Sequence, residues 1–267
     1  MINNLKSKFT NLIPKKQQVP FKYYLDIFRG YHEEELQLLK YMVSKGDLVV
    51  DVGGNRGQYS YKLWSLGCRV EAFEPNPLCF SILSAWAKNI SGINVHSVAL
   101  SDKKDSTILN IPIDKKGHEH DASASIEHND FTNFRKQTIS TSTLDSCNLK
   151  DIRLIKIDVE GHEAKVLLGA SQTIKICKPA LIIEIEQRHL KCPISDVFEY
   201  IKQLGYEGYY LLDKQLYNLE SFNVNANQSI NLVNNKNKKY INNFIFLHKS
   251  RVKHKEYSLL VNKYIRQ

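Results

Sequence analysis

The sequence has no long apolar run and is poor in the residues that mark specialised architectures. Its 267 residues include only 12 Gly and 7 Pro, which excludes collagen-like and low-complexity chains. The longest apolar runs, such as residues 181–183, fall far short of the roughly 20 residues that cross a bilayer, so we expect no transmembrane helix. No apolar stretch follows Lys6 and Lys8, and we therefore predict no secretory signal.

Cysteine is also scarce and irregularly placed. The 5 cysteines are far apart and form no C-x-x-C pair, whereas a zinc cluster or a disulfide framework needs close pairs. We therefore expect reduced thiols, a cytoplasmic protein and no metal centre. His118, Glu119, His120 and Asp121 have the residue types of a metal cluster, but their position in a polar segment favours a solvated lid.

The positive charge is concentrated at the two ends of the chain. The formal net charge is +9, from 37 basic and 28 acidic residues. Residues 236–266 hold nine Lys or Arg with one acid, residues 1–22 hold five Lys with no acid, and the body between them has 23 basic and 27 acidic residues. Such ends are either solvated tails or contacts for an anionic membrane surface or polymer. A nucleic-acid enzyme places basic residues along its cleft, which argues against that class.

A repeating alternation of strands and helices predicts a parallel sheet. The strands are short apolar runs, which are residues 48–52, 69–73, 94–100, 153–159 and 180–185. Strands that alternate with helices in this way form a parallel sheet that is covered on both faces. Residues 209–212 and 243–248 are expected to close the sheet as an antiparallel pair.

Three segments fall outside this alternation. Residues 1–22 are expected to form a loose arm, and residues 31–43 a helix. Residues 107–145 are predicted to be a β-rich insertion with a flexible segment, which could cover the acceptor as long loops over active sites do. The predicted division of the chain is an arm and helix (1–46), a sheet domain (47–248) and a basic tail (249–267).

A glycine-rich turn follows the first predicted strand, which ends in D-V-G-G-N-R-G (51–57), and Glu74 ends the second strand. Ligands bind at the carboxyl ends of strands in an open parallel sheet, where a carboxylate can accept hydrogen bonds from both ribose hydroxyls. A dinucleotide site would need G-x-G-x-x-G, which this loop does not match, and Asp51 would repel a pyrophosphate. The loop and Glu74 together instead predict S-adenosylmethionine, a nucleoside with a cationic sulfonium.

Four segments extend this pattern along the sheet. They are V-V-D-V-G-G-N-R-G (49–57), F-E-P-N-P (73–77), V-A-L-S-D (98–102) and I-K-I-D-V-E-G-H-E (155–163). In these segments the sequence resembles the FkbM-type methyltransferases. The resemblance implies an α/β, Rossmann-like class I methyltransferase fold, with a doubly wound, mostly parallel sheet of seven strands and a C-terminal antiparallel strand. It also implies O-methylation of hydroxyl groups of glycans or natural products.

The positions at strand ends assign the contacts to S-adenosylmethionine. Its methionine portion is expected to be held by Asp51, Gly53, Asn55 and Gly57. Its ribose is expected to be held by Glu74 and Pro75, and its adenine by Ala99 and Asp102. The glycines permit positive φ and a close approach of ligand to backbone.

The segment after residue 155 carries the predicted catalytic residues. Lys156, Asp158 and Glu160 alternate along one face of the fourth strand. Unpaired charges on a buried strand are costly, so this stripe indicates function. His162 follows, with an ordinary pKa near about 6.5 that suits a general base, while Glu163 is expected to cap the next helix. Asp158, Glu160 and His162 are all candidates to take the proton from the acceptor hydroxyl.

Glu184 and Glu186 share one face of the next strand. Glu186 is expected to line the acceptor pocket together with Lys156, and the alternative is an ion pair of Glu186 with Lys156 or Arg188.

We therefore predict an S-adenosylmethionine-dependent O-methyltransferase that acts on a carbohydrate or small-molecule hydroxyl. The alternatives are a nucleic-acid methyltransferase that holds phosphates with its basic ends, and a binding module that retains the fold without catalysis. Residues 257–265 carry Leu259, Leu260 and Tyr264 among basic residues, a pattern that also suits a helix on a membrane surface.

Overall fold

The computed structural model of the chain describes residues 13–31, 33–114, 117, 119–127, 133–233 and 240–265. Its strands are β1 (Leu48–Val52), β2 (Arg69–Phe73), β3 (Ile93–His96), β4 (Ala99–Leu100), β5 (Asp105–Pro112), β6 (Phe134–Ser142), β7 (Ile152–Ile157), β8 (Ala180–Glu184), β9 (Tyr206–Leu212), β10 (Gln215–Asn218) and β11 (Asn243–His248). Its α-helices are α1 (Lys15–Arg29), α2 (Gln58–Ser65), α3 (Pro77–Ala87), α4 (Glu163–Gly169), α5 (Ser171–Cys177), α6 (Ile194–Gln203), α7 (Val224–Asn227), α8 (Ile230–Val233), α9 (Lys249–Lys253) and α10 (Ser258–Tyr264).

Eight strands form the main sheet, in the order β10-β9-β11-β8-β7-β1-β2-β3. The five strands from β8 to β3 run parallel, and β11 lies antiparallel between β8 and β9. The predicted doubly wound α/β sheet with an antiparallel C-terminal strand is therefore confirmed. The predicted count of seven strands is one too low, because β10 pairs with β9 as an additional edge strand.

The central strands are apolar on both faces. Val49 contributes to the core on one side of the sheet with Leu63 and Leu83, whereas Val50 packs on the other side with Ile155. This two-sided burial is typical of parallel strands that are covered by helices. The chain leaves β1 toward β2 and returns to β7 on the other side of β1, so strand order reverses between β1 and β7, where a ligand crevice opens.

The insertion forms a second, small sheet. β5 and β6 pair antiparallel, and β4 pairs parallel with β6. The β-rich character predicted for residues 107–145 is thus seen in the described residues of this segment. The predicted third strand, residues 94–100, was wrong in its extent: it divides into β3 of the main sheet and β4 of the small sheet.

The N-terminal segments differ from the sequence-based expectation. Residues 15–22 belong to α1 rather than to a loose arm, because Val19 and Tyr23 are buried against the body of the protein. The helix predicted over residues 31–43 is replaced by two short 3₁₀ turns (Glu34–Gln37 and Leu39–Tyr41). These turns bury Leu36, Leu38, Leu39 and Met42.

The basic C-terminal segment packs on the sheet domain instead of leaving it as a tail. Tyr257 and Leu260 are buried, and the guanidinium of Arg153 lies 4.7 Å from the centre of the Tyr257 ring. The sequence predicted an apolar face for a membrane-surface helix at residues 257–265. The apolar side chains of this segment instead pack within the protein, apart from Leu259, which is exposed. None of the helices among the described residues is long and apolar enough to span a membrane.

Candidate functional site

A cavity of about 300 Å³ opens at the carboxyl ends of the central strands. Ten of the residues predicted for the site line it: Asp51, Gly53, Asn55, Glu74, Pro75, Ala99, Lys156, Asp158, Glu160 and His162. Three other predicted residues, Gly57, Asp102 and Glu186, do not line it. Its position matches the reversal of strand order, where open α/β sheets bind their ligands.

Packing inside the protein requires glycine at two positions of the turn that follows β1. Gly53 has a φ of +81°, and a Cβ there would lie 1.8 Å from the carbonyl oxygen of Asp158. Gly57 also has a φ of +81°, and its Cβ would meet Leu83 at 2.8 Å and Val19 at 2.9 Å. Gly57 therefore serves the close contact of α2 with α3 and α1, whereas Gly53 lets the turn pass over the end of β7.

We expect Gly53→Ala to destabilise the protein more than Gly46→Ala. Both glycines have positive φ, which costs a residue with a side chain about 1–2 kcal/mol. Gly46 faces open space, whereas at Gly53 the backbone of Asp158 must also move, which adds about 1–3 kcal/mol. Urea unfolding measures the difference. Equal losses of unfolding free energy in the two variants would show that the turn can shift away from the Asp158 backbone without cost.

Glu74 projects into the cavity from the end of β2. Its two carboxylate oxygens accept hydrogen bonds from the backbone N–H groups of Asn55 (2.6 Å) and Asn76 (2.7 Å). Burial raises the pKa of Glu74 to about 7, with smaller contributions from Asp51 and Asp121, although the two hydrogen bonds lower it. Each oxygen keeps an unused lone pair, so the carboxylate can accept further hydrogen bonds from a ligand.

Asp51 lies beneath the glycine turn. It is buried and accepts a hydrogen bond from the hydroxyl of Ser60. Burial raises the pKa of Asp51, while Ser60 and Lys156 oppose that rise. A buried carboxylate with so few donors is suited to a cationic ligand group.

Lys156 lies at the bottom of the cavity and is 1% exposed. Its ammonium group donates to Asn243 Oδ1 at 3.0 Å, lies 4.9 Å from the centre of the Tyr59 ring and is 3.8 Å from Asp158 Oδ2. β7 ends at Ile157, so Asp158 and Glu160 lie in the turn after the strand rather than on its face. The predicted stripe is therefore correct in gathering the three side chains at one cavity but wrong in placing them all on the strand.

Asp158 is the carboxylate best placed to exchange a proton in the cavity. About 30% of its side chain is exposed, along the cavity. Its pKa is raised to about 7, chiefly by burial and also by the carboxylates of Glu160, Glu33 and Asp51, while Lys156 opposes the rise. A carboxyl group with this pKa changes its charge near neutral pH.

Sequence reasoning missed the second acid at the bottom of the cavity. Glu33 lines it, accepting hydrogen bonds from the Tyr59 hydroxyl at 2.7 Å and from Asn243 Nδ2 at 3.1 Å. In the sequence, Glu33 has the pattern of an acid in the first turn of a helix, and no local signal connects it with Asp158, which lies 125 residues later.

The next strand places Glu184, rather than Glu186, on the cavity. Burial raises the pKa of Glu184 well above its ordinary value, and Asp158 adds to the rise. Glu186 is instead held by both Nε (2.7 Å) and Nη2 (3.0 Å) of Arg188 and by the hydroxyl of Tyr240 (2.6 Å). The ion pair with Arg188 that the sequence left as an alternative is therefore the observed one.

His162 has both ring nitrogens engaged inside the protein. Nδ1 lies 2.9 Å from Glu127 Oε1, and Nε2 lies 2.9 Å from the hydroxyl of Ser101. Burial lowers the pKa of His162, although Glu127 opposes the change. His162 is only 3% exposed, so it holds the wall of the cavity and is poorly placed to take a proton from an acceptor. Glu127 is the carboxylate that orients the His162 ring.

Glu160 lines the cavity but is paired with His189, whose Nδ1 lies 2.9 Å from Glu160 Oε2. Ligand atoms of Glu160, Glu186 and His189 lie within 4.8 Å of one another, but Arg188 occupies both oxygens of Glu186. Glu163 accepts from the N–H of Gly161 at 2.9 Å as the first residue of α4.

The acids of the predicted lid pair with arginines. Glu119 accepts two hydrogen bonds from Arg135 (2.6 and 3.0 Å), and Asp121 accepts from Arg56 Nε at 3.1 Å. His118 lies outside the described residues. The described members of this cluster therefore give no support to a metal site.

The insertion forms one wall of the cavity through three contacts. Asp121 pairs with Arg56 after β1, the hydroxyl of Ser125 donates to the carbonyl of Glu160 at 2.6 Å, and Glu127 holds His162. Among the residues between these contacts, Ala124 and Ile126 line the cavity. The described residues of the insertion therefore border the cavity.

Comparison with known proteins finds one matching family and several solved structures with low sequence identity. The family model of the methyltransferase FkbM domain matches residues 51–207, which is more than half of the chain. A search of curated protein sequences finds no match. The solved methyltransferase FkbM from Methylobacillus flagellatus is 18% identical with a TM-score of 0.49, and the alignment covers 76% of this chain and 44% of that one. The chain thus spans less than half of that protein's length.

Two further structures are similar over most of both chains. An rRNA methylase from Streptococcus thermophilus is 14% identical with a TM-score of 0.43, over 80% of this chain and 95% of that one. A TehB-like SAM-dependent methyltransferase from Corynebacterium glutamicum is 12% identical with a TM-score of 0.40, over 87% and 95% of the two chains.

Proposed function

This chain belongs to the FkbM family of methyltransferases, and we propose that it is an O-methyltransferase whose acceptor is a hydroxyl group of a carbohydrate or of a glycosylated natural product. S-adenosylmethionine is its methyl donor. The observation that carries the proposal is the Asp158 carboxyl group, which faces the cavity with a pKa of about 7. An alcohol needs such a base, because its own proton is only weakly acidic.

The residues of the cavity fit S-adenosylmethionine. When bound, this donor supplies an electrophilic methyl group on a positively charged sulfonium. Glu74 has free lone pairs for the two ribose hydroxyls. Asp51 and the glycine turn would hold the methionine portion, and the backbone of Ala99 and Leu100, which lines the cavity, would contact the adenine. Carboxylates outnumber cations along the cavity, which favours a cationic donor.

In the proposed reaction Asp158 would accept the proton of the acceptor hydroxyl, while bound S-adenosylmethionine would supply the methyl group to the acceptor oxygen and leave as S-adenosylhomocysteine after its sulfur–methyl bond breaks. Lys156, 3.8 Å away, favours the ionised form of Asp158 and is itself fixed by Asn243. His162 and Glu127 act by holding the turn that carries Asp158 against the insertion. Positioning of the acceptor oxygen contributes much of the acceleration in a displacement of this kind.

The walls around Asp158 favour a polyhydroxylated acceptor over a phosphate-bearing one. Glu33 and Glu184 line the cavity beside the ring of Tyr59. Carboxylates accept hydrogen bonds from neighbouring hydroxyl groups, which suits an acceptor that carries several hydroxyls. Phosphates, on which nucleic-acid binding depends, are disfavoured where acidic residues outnumber cations along the cavity, so the nucleic-acid alternative is the weaker one.

Methyl-labelled S-adenosylmethionine tests this function. We expect the purified protein to transfer label to a polysaccharide or glycoside mixture, in a product that survives alkali because it is an ether. An RNA mixture under the same conditions serves as the comparison. Transfer to RNA but not to saccharides, or label that alkali releases as an ester, would overturn the proposal.

A further inference from the structure

The outer face of α1 carries an unusual concentration of exposed apolar side chains. Half of the exposed large apolar residues in the described part of the chain lie in one short segment: Phe21, Tyr24, Ile27, Phe28 and Tyr31. Phe28 is 88% exposed and Tyr24 is 62% exposed. A patch of this kind on a soluble domain marks a contact with a partner or a membrane.

Helical spacing gathers these side chains into one stripe. Phe21, Tyr24 and Phe28 follow one another at i, i+3 and i+7, so they lie on the same face of α1. The opposite face is fixed to the protein, since Val19 and Tyr23 are buried and the Tyr23 ring lies 4.7 Å from that of Tyr61. The stripe is thus held outward on a rigid element.

Basic residues lie on both sides of the aromatic stripe. Lys15, Lys22 and Arg29 recur at intervals of seven residues and form a row on the side of the helix that also carries buried Gln18. Lys15 donates to Ser81 Oγ at 2.9 Å and Lys22 lines the cavity, whereas Arg29 is exposed. Lys16 lies on the other side, next to the angular position of Ile27. Asp26 is the only acid in α1, and it is paired with Lys22.

We propose that α1 docks the protein on a membrane surface that carries anionic headgroups. An apolar helical face with aromatic side chains and flanking cations is suited to lie in the plane of the bilayer interface, with its rings at headgroup depth. The long side chains of lysine and arginine extend beyond such a face, so that their charged ends reach the phosphates of the lipid headgroups. The site of contact differs from the C-terminal helix α10, which packs Leu260, Val261 and Tyr264 against the core and leaves Leu259 exposed.

Charge and apolar surface both favour a lipid membrane over a second copy of the chain or a soluble saccharide as the partner of this face. A symmetric contact with a second copy would bring two sets of the same cations together. A soluble saccharide gains little from Ile27 and Phe28, which have no polar atoms. An anionic lipid surface complements both the apolar stripe and the cations.

Co-sedimentation of the full chain with phospholipid vesicles tests the proposal. We expect binding to vesicles that contain phosphatidylserine and weaker binding to phosphatidylcholine alone. The F21S/F28S double variant should lose at least about tenfold in partitioning, since burial of one such ring is worth about 1.5–3 kcal/mol. K15Q/K16Q should lose about fivefold for each lysine on the anionic vesicles. Ile176→Ser is the matched control, because Ile176 is 78% exposed but lies on α5.

Circular dichroism and light scattering complete the test. All three variants alter exposed side chains and should keep the wild-type melting temperature. Failure of the folded wild-type chain to bind anionic vesicles would overturn the proposal, as would equal binding of wild type and F21S/F28S. A wild-type dimer that F21S/F28S dissociates, without vesicle binding by either, would assign the face to self-association instead. Vesicle binding requires no methyl transfer, so this result is independent of the proposed activity.

Discussion

Asp158→Asn is expected to lower kcat by about 10²- to 10⁴-fold, the range that a general base contributes. The variant keeps the size of the side chain and the contact with Lys156, so its affinity for S-adenosylhomocysteine should change little. Activity assays and calorimetry separate the two quantities. Asp151→Asn is the matched control, because Asp151 lies at the opposite end of β7 and does not line the cavity.

The pH profile gives this prediction a second readout. The Asp158 carboxylate must be ionised to accept a proton, and its pKa is about 7. The rate of the wild-type enzyme should therefore be constant above about pH 7.5 and fall about tenfold for each pH unit below 6.5. Asp158→Asn should lack this acid limb. Retention of the same limb, or a loss in kcat of less than tenfold, would assign the proton to another group.

Glu74→Gln should weaken binding of S-adenosylhomocysteine by about 10- to 150-fold, since a hydrogen bond to a charged group contributes about 1.5–3 kcal/mol. The Gln amide nitrogen cannot accept from the N–H of Asn55 or Asn76, so the variant also disturbs the turn that Glu74 holds. Titration calorimetry measures the loss.

Glu71→Gln provides the matched control on the same strand. Glu71 accepts from Asn94 at 2.8 Å and lies 2.6 Å from His96 Nε2, away from the cavity. The Glu71→Gln variant should bind S-adenosylhomocysteine with the affinity of the wild type. Wild-type affinity in folded Glu74→Gln would mean that the ribose lies elsewhere.

The sequence was informative wherever a function depends on residues next to one strand end. The glycine turn and Glu74 each follow an apolar run, and parallel strands bring their carboxyl ends to one edge. Lys156 was identifiable for a different reason, because a charge in a buried strand needs partners. The structure places residues 51–56 of the glycine turn, Glu74 and Lys156 on one cavity.

The remainder depended on contacts between distant segments. Glu33 and Glu127 reach the site from an N-terminal turn and from the insertion, and neither has a local pattern that distinguishes it from a surface acid. Glu184 and Glu186 share one face in the sequence pattern, but only the three-dimensional position of Arg188 and Tyr240 decides which one stays at the cavity. Periodicity also could not show that α1 gains its stability from burial of Val19 and Tyr23.

A crystal structure of the complex with S-adenosylhomocysteine tests the central claim most directly. The account predicts the ribose hydroxyls on Glu74, the amino-acid portion against the turn that follows Asp51, and the sulfur at the end of the cavity lined by Asp158. Placement of the sulfur away from Asp158, or of the ribose away from Glu74, would contradict both the assignment of the cavity and the role of the base.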